Sequence, residues 1–318
     1  MKALIGATVS AALLMQAAAV KAEEPIEAPG PAGPLRGTLV VAQVPRAPVV
    51  LVVPGSGPTD RDGNNALGIK AATYRLLAEG LASAGISSVR IDKRGMFGSA
   101  GAVPDPNAVT ISDYVTDVAA WSDVIRTKTK SNCIWIAGHS EGGLVALAAA
   151  QKIPKICGLL LISTAGRPLA DVLREQLKAN PANVPFLDQA LLTIDRLKSG
   201  ARVNASELHP ALMPLFHPLV QGFWIDAFSY DPAKLAAAYK GPMLILQGTH
   251  DLQTSVTDAE LLAHANLGAK LALLPQVNHV LKKVDTTDRA INIATYANPN
   301  LPLASGVVEA VSEFIKAH

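Results

Sequence analysis

The strongest constraint on the fold is an alternation of short apolar runs with segments of helical spacing. Val49 to Val53 is an unbroken β-branched run, the pattern of a strand buried on both faces. It breaks at Pro54-Gly55-Ser56-Gly57-Pro58. Ile69 to Ala84 then has helical spacing, with Gly85 as a stop. Val89–Asp92, Cys133–Ala137 and Gly158–Ile162 read as further strands, and Leu35–Val44 as an earlier one. Ile111–Thr127 and Glu141–Gln151 read as helices between them. Such alternation folds as βαβ units on a mostly parallel sheet flanked by helices. The pattern stops after Gly166. Residues 167–240 carry helical periodicity, as at Leu169, Val172, Leu173 and Leu177, but no buried strand. Strands and helices resume with Met243–Gln247, a helix near Thr257–Ala265, Lys270–Leu274 and a last helix over Leu303–Ala317. Residues 35–166 and 241–318 are therefore expected to form one α/β core, with 167–240 a helical lid insertion.

The N-terminus has a different texture. Met1-Lys2 gives a positive start, Ala3 to Val20 is apolar, and Val20-Lys21-Ala22 fits the small-x-small cleavage rule. A signal peptide cut after Ala22 is expected, which makes the mature chain periplasmic or secreted. The alternative is an uncleaved anchor, for which the Ala-rich run is barely long enough. No second apolar run of spanning length follows, so no stable membrane span is expected once the signal is removed. Residues 23–34, rich in Pro, Gly and Glu, read as a flexible leader. Loss of residues 1–22 removes Lys2 and Lys21 and takes the formal charge from +2 to zero. With no basic run either, a nucleic-acid partner has no electrostatic footprint. Cys133 and Cys157 each open an expected strand, and neighbouring parallel strands would set them side by side. A disulfide in an oxidising compartment and two buried thiols are equally compatible with that placement.

Gly138-His139-Ser140-Glu141-Gly142 matches G-x-S-x-G between the apolar strand Ile134–Ala137 and the helix beginning at Leu144. That strand–turn–helix setting is what exposes a nucleophilic serine on a strained turn, and it makes Ser140 the candidate nucleophile. A serine hydroxyl needs a base. After such an elbow the acid and then the histidine follow in chain order. His279 lies in the loop between the strand ending at Leu274 and the final helix. His318 is the last residue, where a chain frays. Asp251, in Thr249-His250-Asp251 after the strand Leu244–Gln247, is the candidate acid. His250 is read as its neighbour, His139 as a supporting residue turned away from substrate, and His209 and His217 as packing in the insertion, with lining of the lid as the alternative.

A tetrahedral oxyanion needs two preset donors. The backbone N–H of Glu141 is one. The other is expected from the loop after Val53, with Ser56 first and Gly57 second. Asp60-Arg61-Asp62-Gly63-Asn64 continues that loop, and Asp92-Lys93-Arg94-Gly95 leaves the same sheet edge. A salt bridge from Arg94 to Asp60 or Asp62 is therefore expected to brace it, with plain turn chemistry as the alternative.

Together the pieces P-G-S-G-P-T-D-R-D-G-N (54–64), D-K-R-G (92–95), G-H-S-E-G-G (138–143), G-T-H-D (248–251) and N-H (278–279) resemble the α/β-hydrolase superfamily. The resemblance is to its secreted esterase and dienelactone-hydrolase-like branch, near the serine aminopeptidases. It runs from about Leu35 to the end of the chain, and the insertion resembles nothing closely. It implies acyl transfer to water through an acyl-enzyme on Ser140, His279 and Asp251, with no metal and no organic cofactor. A small acyl ester is the expected substrate. Peptide or amide cleavage and acyl transfer to another acceptor use the same machinery. A non-catalytic exported binding protein on this scaffold is the rival from another class. Oligomeric state is not legible.

Overall fold

The computed structural model describes residues 23–318, so the signal-peptide expectation for residues 1–22 lies outside the described residues. Eight strands form one sheet: β1 (Glu23–Ala28), β2 (Leu35–Val40), β3 (Val49–Val53), β4 (Ser87–Ile91), β5 (Ile134–His139), β6 (Ile156–Ile162), β7 (Met243–Gly248) and β8 (Lys270–Leu274). Their spatial order is β1-β2-β4-β3-β5-β6-β7-β8. β1 and β2 pair antiparallel, as do β2 and β4, and every later neighbour is parallel.

The helices are α1 (Thr73–Ser83), α2 (Ile111–Thr129), α3 (Glu141–Ala150), α4 (Leu169–Ala179), α5 (Leu187–Lys198), α6 (Met213–Phe216), α7 (Gln221–Phe228), α8 (Pro232–Ala238), α9 (Val256–Ala265), α10 (Arg289–Ala294) and α11 (Val307–Lys316). The run read as a strand buried on both faces is so, since every residue of β3 is buried, and every residue of β5 is buried as well. One apolar layer joins the sheet to α2 and α3 through Ile136, Trp121 and Leu147. The other joins it to α1 and α11 through Val52, Leu77 and Phe314. The helices of the insertion enclose a separate cluster around Leu173, Ile194 and Phe216. Its last part returns to the main body, where Phe223 and Leu235 pack on the first layer.

One expectation is corrected. Residues 23–34 are not all a flexible leader, because Glu23–Ala28 is an edge strand paired with β2. Its alternation supplies the reason: Ile26 and Ala28 point into the core while Glu23, Pro25 and Glu27 stay exposed.

The open question of the cysteines is answered by the pairing of β5 with β6. Cys133 and Cys157 form a disulfide, with their Cα atoms 5.2 Å apart. The bond closes a loop of 24 residues at the end of these strands opposite Ser140. Loop-closure entropy alone gives about 3 kcal/mol for that length. Replacing both cysteines with alanine should lower unfolding stability by that order in a denaturant titration, with no change in the sheet's far-UV signature.

Candidate active site

Ser140 stands between the last residue of β5 and the first of α3, with φ 55° and ψ −119°. A non-glycine residue is held there only if its surroundings dictate it. Two glycines do so by letting backbones touch. A Cβ on Gly138 would meet the Gly142 carbonyl oxygen at 2.2 Å, and one on Gly142 would meet that of Val53 at 2.3 Å. The turn is further tied down by the Ser140 N–H, which donates to the Ile162 carbonyl at 2.9 Å.

His279 follows β8 and is buried. Its Nδ1–H donates to Asp251 Oδ2 at 2.8 Å, and the two side chains are 5% and 0% exposed. Asp251 is otherwise saturated. Its Oδ1 accepts from the amides of Gln253 (2.8 Å) and Thr254 (3.0 Å). Its Oδ2 accepts from Thr254 Oγ1 (2.9 Å) and Gln247 Nε2 (3.2 Å). Burial alone would raise the Asp251 pKa. The His279 imidazole and these amides outweigh it and hold the carboxyl well below its usual range. An ionised carboxylate only accepts hydrogen bonds, so His279 carries its proton on Nδ1 and leaves Nε2 free as a base. Ser140 and His279 line one cavity. Among the described residues the Ser140 hydroxyl makes no hydrogen bond to the imidazole, a gap that substrate binding commonly closes in such pairs.

His139 makes the supporting contacts expected, but it also borders the cavity of Ser140 and His279 and so is not turned away from it. His139 Nε2–H donates to the His279 carbonyl at 2.9 Å, and Tyr74 Oη donates to its Nδ1 at 2.9 Å. Tyr74 Oη in turn accepts from the Gly55 amide at 2.9 Å. A single chain of hydrogen bonds thus joins the loop after β3 to the loop carrying His279. It needs a neutral His139, and burial first, then the neighbouring His279, push the His139 pKa down to about 3.

The loop after β3 presents Ser56 beside Ser140. A Cβ on Gly55 would sit 3.3 Å from the Ser140 Cβ. Among the described residues the Ser56 and Glu141 amides donate to no protein acceptor. Lys93 lies under this pair: its Nζ donates to the Gly55 carbonyl at 2.7 Å and to Glu141 Oε1 at 3.2 Å.

The expected brace is corrected. Arg94 reaches neither Asp60 nor Asp62. It turns to α2, where Nε and Nη2 bind Asp117 at 2.7 and 2.6 Å and Nη1 binds Asp113 at 2.9 Å. The physical idea survives with other partners. Arg61 of the loop binds the buried Asp92, by Nε at 3.0 Å and by its backbone N–H at 2.9 Å. Asp62 faces Arg90 at 3.3 Å, and Asp60 Oδ1 accepts from the Asp62 and Asn64 amides as a turn residue. Lys93 and Tyr74 were not singled out from sequence. Lys93 sits inside the D-K-R-G motif, and Tyr74 carries no local signal.

Ser140 lies between two cavities of about 80 Å³ each. One is lined by His279, Tyr74, Thr73 and Val280. The other is lined by Glu141, Leu144, Leu169, Val172 and Pro232, so helix α4 of the insertion forms part of its wall. A larger cleft of about 810 Å³ adjoins them between α4 and the Asp251 loop, and Gln253 borders all three.

With that geometry in view, residues 67–209 match the family described as serine aminopeptidase, S33. Esterase EstD of Thermotoga maritima is 26% identical over 241 residues, which is 74% of this chain and 54% of that protein. The chain thus spans about half the length of this curated relative. Among solved structures, Est1E of Butyrivibrio proteoclasticus with ferulic acid bound superposes with a TM-score of 0.58 at 18% identity, over 92% of this chain and 98% of that one. The Pyrococcus furiosus esterase PF2001 does so with a TM-score of 0.58 at 18% identity, over 93% and 91%. At that identity the likeness speaks for the fold.

The neutral His139 has a consequence for pH. Its folded pKa lies below the unfolded value, so its contribution is complete above about pH 6.5 and is lost as pH falls toward 3. Thermal melts should show stability declining over that window. His139→Asn should remove about one proton from the slope. An unchanged slope would show that His139 does not titrate there.

Proposed function

We propose that the chain is a serine carboxylesterase of the α/β-hydrolase type acting through Ser140, His279 and Asp251. The observation that carries the reading is the pairing of His279 with a saturated, buried Asp251 beside the same cavity as the strained Ser140. Ser140 Oγ attacks the ester carbonyl while His279 Nε2 takes its proton, and the carbonyl oxygen becomes an oxyanion between the Ser56 and Glu141 amides. The intermediate collapses to an acyl-enzyme as His279 returns the proton to the departing alcohol. Water then repeats the sequence, and the acid leaves with Ser140 restored. Asp251 holds the imidazole and stabilises its cation without taking the proton.

Because His279 must reach the leaving oxygen, the cavity it lines takes the alcohol side. The cavity bordered by Leu144, Leu169 and Val172 then takes the acyl group. A volume of about 80 Å³ favours short acyl chains. The disulfide supports the export expected from the N-terminus, since such bonds persist in oxidising compartments.

A fluorophosphonate probe should label the chain at one serine, and Ser140→Ala should abolish the label. Ser140→Ala or His279→Ala should lower kcat by about 10⁴–10⁶. In a p-nitrophenyl ester series, kcat/KM should peak at the shortest acyl chains and fall for long ones. A folded, unlabelled, inactive wild type would favour a binding protein.

A further inference from the structure

We propose that Lys93 is a positioning residue that presets the oxyanion hole, by fixing the direction of the Ser56 N–H and the seat of Glu141 together. The inference rests on the reading of those two amides as the oxyanion donors. A trans peptide unit points its C=O and its N–H in opposite directions. The Gly55 carbonyl and the Ser56 N–H belong to one such unit. Lys93 Nζ holds that carbonyl at 2.7 Å, so the Ser56 N–H is turned to the opposite side. The preceding Pro54–Gly55 unit is held separately, because the Gly55 N–H donates to Tyr74 Oη at 2.9 Å, so Gly55 is tethered on both sides of its Cα. If the Gly55–Ser56 unit rotated, it would aim a carbonyl oxygen where a donor is required, and the hole would repel the charge it has to hold.

The same ammonium binds Glu141 Oε1 at 3.2 Å. Glu141 supplies the second amide and is the first residue of α3, directly after the nucleophile. One buried charge therefore reaches both halves of the hole from beneath. Lys93 and Glu141 are 3% and 5% exposed at their side chains. In a site so dry a hydrogen bond from an ammonium to a carbonyl gives firm direction. Lys93 does not line the two cavities that flank Ser140 and so does not meet substrate. Its effect passes through the backbone.

Tetrahedral species depend on the hole more than the bound ester does. Lys93→Met, which keeps length and loses the donor, should therefore lower kcat by about 10- to 100-fold with KM nearly unchanged. Affinity for a trifluoromethyl ketone, which forms a tetrahedral adduct on the serine, should fall by a similar factor. Lys93→Met combined with Glu141→Gln removes the uncompensated buried carboxylate and guards against misfolding. If orientation of the Gly55–Ser56 unit is the cause, the double variant stays slow. Recovery of kcat in the double variant would assign the loss to the stranded charge and overturn the proposal. So would an unchanged kcat and ketone affinity in folded Lys93→Met. Wild-type enzyme serves as the reference: if its Ser140 takes no fluorophosphonate, the esterase reading fails and this one with it. Labelled, active wild type beside a fully active Lys93→Met overturns the role of Lys93 alone.

Discussion

The site depends on a contact between backbones. Strand β5, helix α3 and the end of β3 approach so closely at Gly138 and Gly142 that no side chain fits between them. That closeness forces Ser140 into a conformation few residues adopt and brings the loop after β3 against it. The core sustains the strain. β3 and β5 are buried along their full length, and the layers on both faces leave the turn no room to relax.

Around the turn, charge is arranged by burial. Three groups near Ser140 are almost dry, and each is settled differently. Asp251 stays ionised because the His279 imidazole and four further donors surround it. His139 stays neutral because it is buried and lies beside His279, both of which disfavour its charged form. Lys93 stays charged against Glu141, whose carboxylate and the nearby Tyr114 ring outweigh the effect of burial on it. The result is an anion, a neutral ring and a cation within one small region, each with its protonation state dictated by its neighbours.

The parts legible in the sequence were those whose signal is local or ordered along the chain. The β-branched run at Val49–Val53 announced a buried strand, and the glycines around Ser140 announced the elbow. His279 and Asp251 followed from chain order and from their places after apolar runs. Partnerships across the sheet were not legible. Arg94 and Arg61 are both arginines in loops at one sheet edge, and only the exit angle of each strand decides which carboxylate each meets. Tyr74 lies on the inward face of α1, where an aromatic reads as ordinary core. Its hydroxyl matters because α1 passes over Gly55 and His139, a fact of packing that no spacing encodes. The edge strand at Glu23–Ala28 was hidden by Pro and Glu, residues that edge strands accommodate.

The cross-link between Cys133 and Cys157 sits where β5 and β6 begin, while Ser140 sits where β5 ends. The two strands are stapled at their foot, and the candidate site lies at their crown. Such a division of labour frees the upper loops from the duty of holding the sheet together. The helices between residues 167 and 240 and the cavity wall they form beside Ser140 can be rebuilt while the foundation beneath the turn stays intact.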